Sequence, residues 1–150
     1  MNHEIFDDPR SHEADDLSLR AELAERRGEL AAAQGLYRQA AALEEALARA
    51  APASSPRVRA VLALSAASLW AAGGALMPAI SVCDAFLADV ALPLAERGDL
   101  QALVDQLRVR AAQEAHYEEL AELMASWLRR EPSGPDFDPD AIERVRIESI

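Results

Sequence analysis

Gly28-Glu29-Leu30-Ala31-Ala32-Ala33-Gln34-Gly35-Leu36-Tyr37-Arg38-Gln39-Ala40 contains a spacing that returns 46 residues later. From Gly28, the residues Ala33, Tyr37 and Ala40 stand at offsets of five, nine and twelve; from Gly74, Ala79, Cys83 and Phe86 stand at the same offsets. Glycine suits a tight corner, small residues let two helices touch, and one bulkier side chain plugs the gap between them. Each copy therefore reads as a helix–corner–helix unit, and two copies read as a short helical repeat.

Working outward, Asp15 or Asp16 can cap a first helix that runs to about Arg27, with Leu17, Arg20, Ala21, Ala24 and Arg27 along one side. A second helix follows from about Glu29, with Leu30, Ala33, Leu36, Tyr37, Ala40, Leu43 and Leu47 at helical spacing. Ala51-Pro52-Ala53-Ser54-Ser55-Pro56 is a linker, and Pro56 fits the first turn of a third helix. Val58, Val61, Leu62, Ser65 and Leu69, widened by Leu64 and Trp70, make that helix apolar over so much of its surface that cover on several sides is expected. Gly73-Gly74 breaks it, Pro78 opens a fourth helix, and Leu92-Pro93 ends or kinks that one.

Gly98-Asp99 reads as a further corner, followed by the stripe Leu100, Leu103, Val104, Leu107 and Ala111. A second stripe, Tyr117, Leu120, Ala121, Met124, Trp127 and Leu128, is out of frame with the first. A bend near Gln113 to Ala115 would reconcile them; one long helix is the alternative. The expectation is an all-α fold of stacked antiparallel helical hairpins, about six helices in residues 13–130. Flexible acidic termini flank it: an acidic mobile arm at 1–12 and a turn-rich acidic tail at 131–150. The tail ends in a segment readable as a short helix or a strand.

Composition supports helices and narrows the function. The chain has 150 residues, enough for one domain with its own core. Hydrophobic residues make up 51% but aromatics only 5%, which suits helices held together by alanine and argues against sheets. All fifteen basic residues are arginine, a bias that points to a GC-rich bacterial genome. The net charge of −11 lies mostly at the ends: −5 in residues 1–16, −4 in 131–150, and −2 in between. Nucleic acid and anionic membrane surfaces are thereby disfavoured as partners. A single cysteine allows no internal disulfide, and the acidic first residues are neither signal nor transit peptide, so a cytoplasmic location is expected.

Counted from Ala14, the series Leu17, Ala21, Ala24, Gly28, Ala33, Tyr37 and Ala40 resembles a tetratricopeptide repeat. A second copy from Ala60 matches it at Ala67, Trp70, Gly74, Ala79, Cys83 and Phe86, and Arg57 to Trp70 is similar to bacterial proteins of that type. The likeness covers about residues 14–90. It departs from the pattern in a 46-residue period against the usual repeat of about 34, a missing proline after the first copy, Cys83 in an aromatic position and Phe86 in a small one.

The resemblance implies a protein-binding scaffold whose groove is lined by the first helix of each repeat. By position that lining is Asp15, Ser18, Glu22, Glu25 and Arg26, so the implied partner is another protein with a basic segment. The lysines and asparagines of the family's carboxylate clamp are missing, so a chaperone-tail receptor is not implied. The matching residues of the second copy are Val61, Leu64, Ser68, Ala71 and Ala72; cover by a later helix is expected, and the floor of an apolar groove is the alternative.

Catalytic chemistry finds little footing. His3 and His12 sit among acids without a spacing that would fix metal ligands, and His116 has Gln113 where a di-metal bundle needs glutamate. Cys83 stands next to Asp84, which opposes thiolate formation. Gly73-Gly74 lacks the strand, lysine and hydroxyl of a phosphate loop. No enzyme activity, cofactor or metal is expected. The function expected is that of an adaptor. The alternatives are a small acidic antitoxin or immunity-type neutraliser of a toxic enzyme, and a regulatory segment of a larger protein that continues beyond Val145 to Ile150. Leu64, Trp70 and Trp127 fit either an internal core or a homodimer seam.

Overall fold

The computed structural model describes residues 8–130. Among them are five helices: α1 (Pro9–Arg26), α2 (Leu30–Ala50), α3 (Pro56–Ala72), α4 (Leu76–Leu87) and α5 (Leu94–Arg129). The described residues are all-helical, as expected, with five helices where about six were expected. None of these helices is long and apolar enough to cross a membrane.

The start of α1 differs from the sequence expectation. Asp8, in extended conformation, caps it; Pro9 occupies the first turn, where its missing N–H costs nothing. The Asp8 Oδ1 accepts the Arg10 backbone N–H at 2.9 Å, and the Arg10 guanidinium closes onto the same carboxylate at 2.7 Å. These hydrogen bonds hold the Asp8 carboxyl down at about 2. Residues 9–12, expected to be part of a mobile arm, are therefore helical, and Asp15 and Asp16 lie inside α1, not at its cap. The rest of that arm, residues 1–7, and the whole acidic tail at 131–150 lie outside the described residues.

Both corner glycines adopt positive φ, 77° at Gly28 and 72° at Gly74. At each, two hydrogen bonds close the end of the preceding helix. Glu29 N–H reaches Ala24 O at 3.0 Å with Gly28 N–H on Glu25 O at 2.9 Å; Ala75 N–H reaches Trp70 O at 2.9 Å with Gly74 N–H on Ala71 O at 3.0 Å. This is the Schellman arrangement, which needs a residue tolerant of left-handed backbone. The recurrence seen in the sequence thus corresponds to two helix ends of one kind.

Consecutive helices pack on one another, α1 on α2, α2 on α3 and α3 on α4. Of the twenty-five buried hydrophobic residues among the described residues, thirteen are alanines, so these contacts bring backbones close and do not interleave long side chains. The main cluster joins Leu47 and Ala48 of α2, Leu62, Ala63, Ala66 and Ala67 of α3, Val82, Cys83 and Phe86 of α4, and Leu100, Val104 and Leu107 of α5. At the back of α3, Gly73 lets the chain run against α2: a Cβ there would lie 2.7 Å from Arg38 Cγ and 3.2 Å from the Gln34 carbonyl oxygen. Arg38 Nε donates to the Gly73 carbonyl at 2.6 Å. Trp70 Nε1 donates to Glu45 Oε2 at 3.0 Å, which ties α3 to α2 a second time.

One correction concerns α5: Gly98 is inside the helix with ordinary backbone, not at a corner. Residues 113–115 are helical and α5 is continuous through them, the alternative of one long helix. The corner lies earlier, at residues 88–93, where the Arg97 guanidinium donates to the carbonyls of Leu87 at 2.9 Å and Asp89 at 2.7 Å. A cation on those oxygens stabilises the end of α4. The chain divides into two compact units, one up to Gln113 and one from Glu114 onward. In the second, the described part of α5 exposes Tyr117, Leu120, Leu123, Met124, Trp127 and Leu128.

Candidate functional site

Ala14, Leu17, Ala21 and Ala24 turn inward from α1, which leaves the opposite side of the helix in water. Asp15, Ser18, Glu22, Glu25 and Arg26 follow the three-and-four spacing of one helix side. Asp15, Glu22, Glu25 and Arg26 are exposed and Ser18 is half-buried, so the structure brings all five onto one strip.

The charges are not equally available. Arg26 is drawn to Glu22 at 3.8 Å and Arg20 to Asp16 at 3.6 Å, each one helical turn apart. Such exposed pairs hold little energy and exchange readily with a competing cation. The Ser18 hydroxyl donates back to the Ala14 carbonyl at 2.9 Å, which leaves it free only to accept. Glu25 is anchored from α2, because Tyr37 Oη donates to its Oε2 at 3.1 Å. Burial and that neighbouring carboxylate push the Tyr37 phenol up. Tyr37 thus serves as a half-buried bracket between α1 and α2, where the sequence suggested a plug.

Sequence reasoning missed Glu44. It is 7% exposed, on the buried side of α2, and its Oε2 has no hydrogen-bond partner. Burial raises its pKa, and the negative charge of Asp15 raises it further. Its signal in the sequence is its place between Ala40 and Ala48, four residues from each, both fully buried. An acid flanked in that way on an apolar stripe is a buried acid.

The second predicted lining is less enclosed than expected. Val61 is 49% exposed and Ser68 and Ala72 are exposed, while Leu64 and Ala71 pack partly against the core. Elsewhere, a shallow pocket of about 230 Å³ is lined by Arg49, Arg59, Ala85 and Phe86. The two guanidinium carbons stand 6.0 and 5.7 Å from the Phe86 ring centre, but Arg49 is paired with Glu45 and Arg59 with Asp89. Cys83 is fully buried, and burial followed by Asp84 pushes its thiol up to about 11, far from a reactive thiolate. Among the described residues no three histidine, cysteine or acidic side chains gather as metal ligands. Comparison with protein-family models, with curated proteins and with solved structures gives no match.

Proposed function

We propose that this chain is a protein-binding module whose first helix offers an acidic strip to a basic segment of a partner protein. One observation carries the reading: Asp15, Glu22 and Glu25 are exposed together on α1, and the nearby arginines are held only by weak surface pairs. A lysine- or arginine-rich segment would displace Arg26 from Glu22 and add a cation beside Asp15. Attraction of this sort sets encounter rate and specificity, and it is strongly screened by salt. Tyr37 would hold Glu25 in place, so the strip is partly pre-arranged before binding.

The test is fluorescence anisotropy with a labelled arginine-rich peptide, alongside a peptide in which glutamate replaces arginine. The expected result is binding of the basic peptide alone, weakening at least tenfold as salt rises from about 0.05 to 0.5 M. The triple variant Asp15→Asn, Glu22→Gln, Glu25→Gln should lose most of it, while Asp99→Asn with Asp105→Asn, exposed acids of α5, should not. Equal binding by both variants would remove α1 as the site.

A further inference from the structure

In the described part of the second unit every large apolar side chain is exposed. From Glu114 to Arg129, Tyr117 is 70% exposed, Leu120 42%, Leu123 66%, Met124 65%, Trp127 74% and Leu128 73%. Tyr117, Leu120, Met124 and Trp127 repeat at intervals of three, four and three, the seam of a two-helix coil. Leu123 and Leu128 flank that seam, and Ala121 beside it permits close approach. At 100° per residue the six large side chains fall within an arc of about 140° on one side of the helix.

We infer that this stripe is the contact between two copies of the chain, paired antiparallel through residues 117–128 about a two-fold axis. Area is the first argument. With aromatics near 150–250 Å² each, the six exposed side chains present roughly 700–800 Å² per copy, and burying both sets covers about 1,500 Å². That is the size of a standard stable interface and exceeds what a monomer ordinarily leaves in water.

Charge is the second argument, and it selects both occupant and direction. Glu118, Glu119 and Glu122 occupy the first part of the segment and Arg129 and Arg130 its end. Antiparallel pairing sets Tyr117 of one copy against Trp127 of the other and Leu120 against Met124. It also brings Arg130 of one copy to the flank that holds His116 and Glu119 in the other. Parallel pairing would set like charges of the two copies at the same level, glutamates at one end and arginines at the other. An isologous contact of this kind closes on itself and stops at two copies. The tail at 131–150 is a poorer occupant, since its net −4 would be laid along a segment already rich in glutamate.

Light scattering and sedimentation of the full chain across a dilution series test this. The expected species is a dimer at high concentration. Met124→Glu should raise its dissociation constant at least about 30-fold while helicity is kept, because residue 124 touches no core. Single cysteines report direction: Leu123→Cys, next to the axis, should cross-link to itself, and Tyr117→Cys should not. Native Cys83 is buried and silent. A full-length chain that stays monomeric overturns the proposal, and if deletion of residues 131–150 then creates a dimer, the tail is the occupant. A dimer insensitive to Met124→Glu, or cross-linking through Tyr117→Cys, overturns it as well.

Discussion

Replacing Gly73 with alanine isolates the close approach of α3 to α2. The backbone of Gly73 is unstrained, with φ −72°, so an alanine there suffers no conformational penalty of its own. Its Cβ, however, would stand 2.7 Å from Arg38 Cγ, 3.2 Å from the Gln34 carbonyl oxygen and 3.3 Å from the Arg38 backbone nitrogen. The first contact is with a side chain that can swing away, but only by releasing the 2.6 Å hydrogen bond from Arg38 Nε to the Gly73 carbonyl. The other two are helix backbone and yield only if α2 and α3 separate. Losing a charged hydrogen bond costs about 1.5–3 kcal/mol, and overpacking a close contact costs about 1–3 kcal/mol more. The expected destabilisation by Gly73→Ala is thus about 2.5–6 kcal/mol in urea unfolding, a large share of a typical domain's stability. Arg38→Ala removes the Cγ and the hydrogen bond together. In that background the same glycine substitution should cost only about 1 kcal/mol, the residue of the backbone contacts. Strict additivity, or a Gly73→Ala penalty below about 0.5 kcal/mol, would refute the close packing at this corner.

Further outcomes follow from the same packing. Gly28→Ala places its Cβ in open space but keeps φ at 77°, so it should cost about 1–2 kcal/mol, and removal of neighbouring side chains should not change that figure. The folded-state pKa of Glu44 lies above its unfolded value of 4.5, so the native state binds the extra proton. Stability should therefore fall as pH rises from 4.5 through the folded value, and Glu44→Gln should flatten that slope and raise stability at neutral pH in pH-dependent urea melts. Cys83 should resist alkylation at pH 8 in the folded protein and react only at the rate of unfolding, which timed mass spectrometry can follow. Arg97→Ala leaves two carbonyls at the end of α4 without their cation, and amide exchange should quicken at the last turn of that helix by roughly tenfold or more.

The sequence exposed most of this architecture because its corners are made of backbone chemistry. Gly28 and Gly74 close helices with a bond pattern that few residues other than glycine permit, so their spacing survives translation into structure. Gly98 looked equivalent and is not. It has no left-handed backbone, and open space around it lets α5 continue at the modest cost of one helical glycine. The two out-of-frame stripes left a break and one long helix both open; no proline or glycine between Leu107 and Trp127 imposes a break, and α5 is one continuous helix. At the other end, Asp15 and Asp16 competed as caps with Asp8, and the proline after Asp8 decided the matter. The strip on α1 follows from the resemblance to a tetratricopeptide repeat; the bracket from Tyr37 and the buried Glu44 do not, since both depend on how α2 is rotated against α1.

The predominance of alanine in the core has a practical side. Truncation to alanine is the customary way to survey a protein, and at thirteen of the twenty-five buried apolar positions among the described residues it would change nothing. A map drawn that way would mark the seam between α1 and α2 as indifferent, although Ala21, Ala40 and Ala41 are fully enclosed. Enlargement scanning, with valine or leucine at each such position, would instead reveal it as the least forgiving part of the molecule.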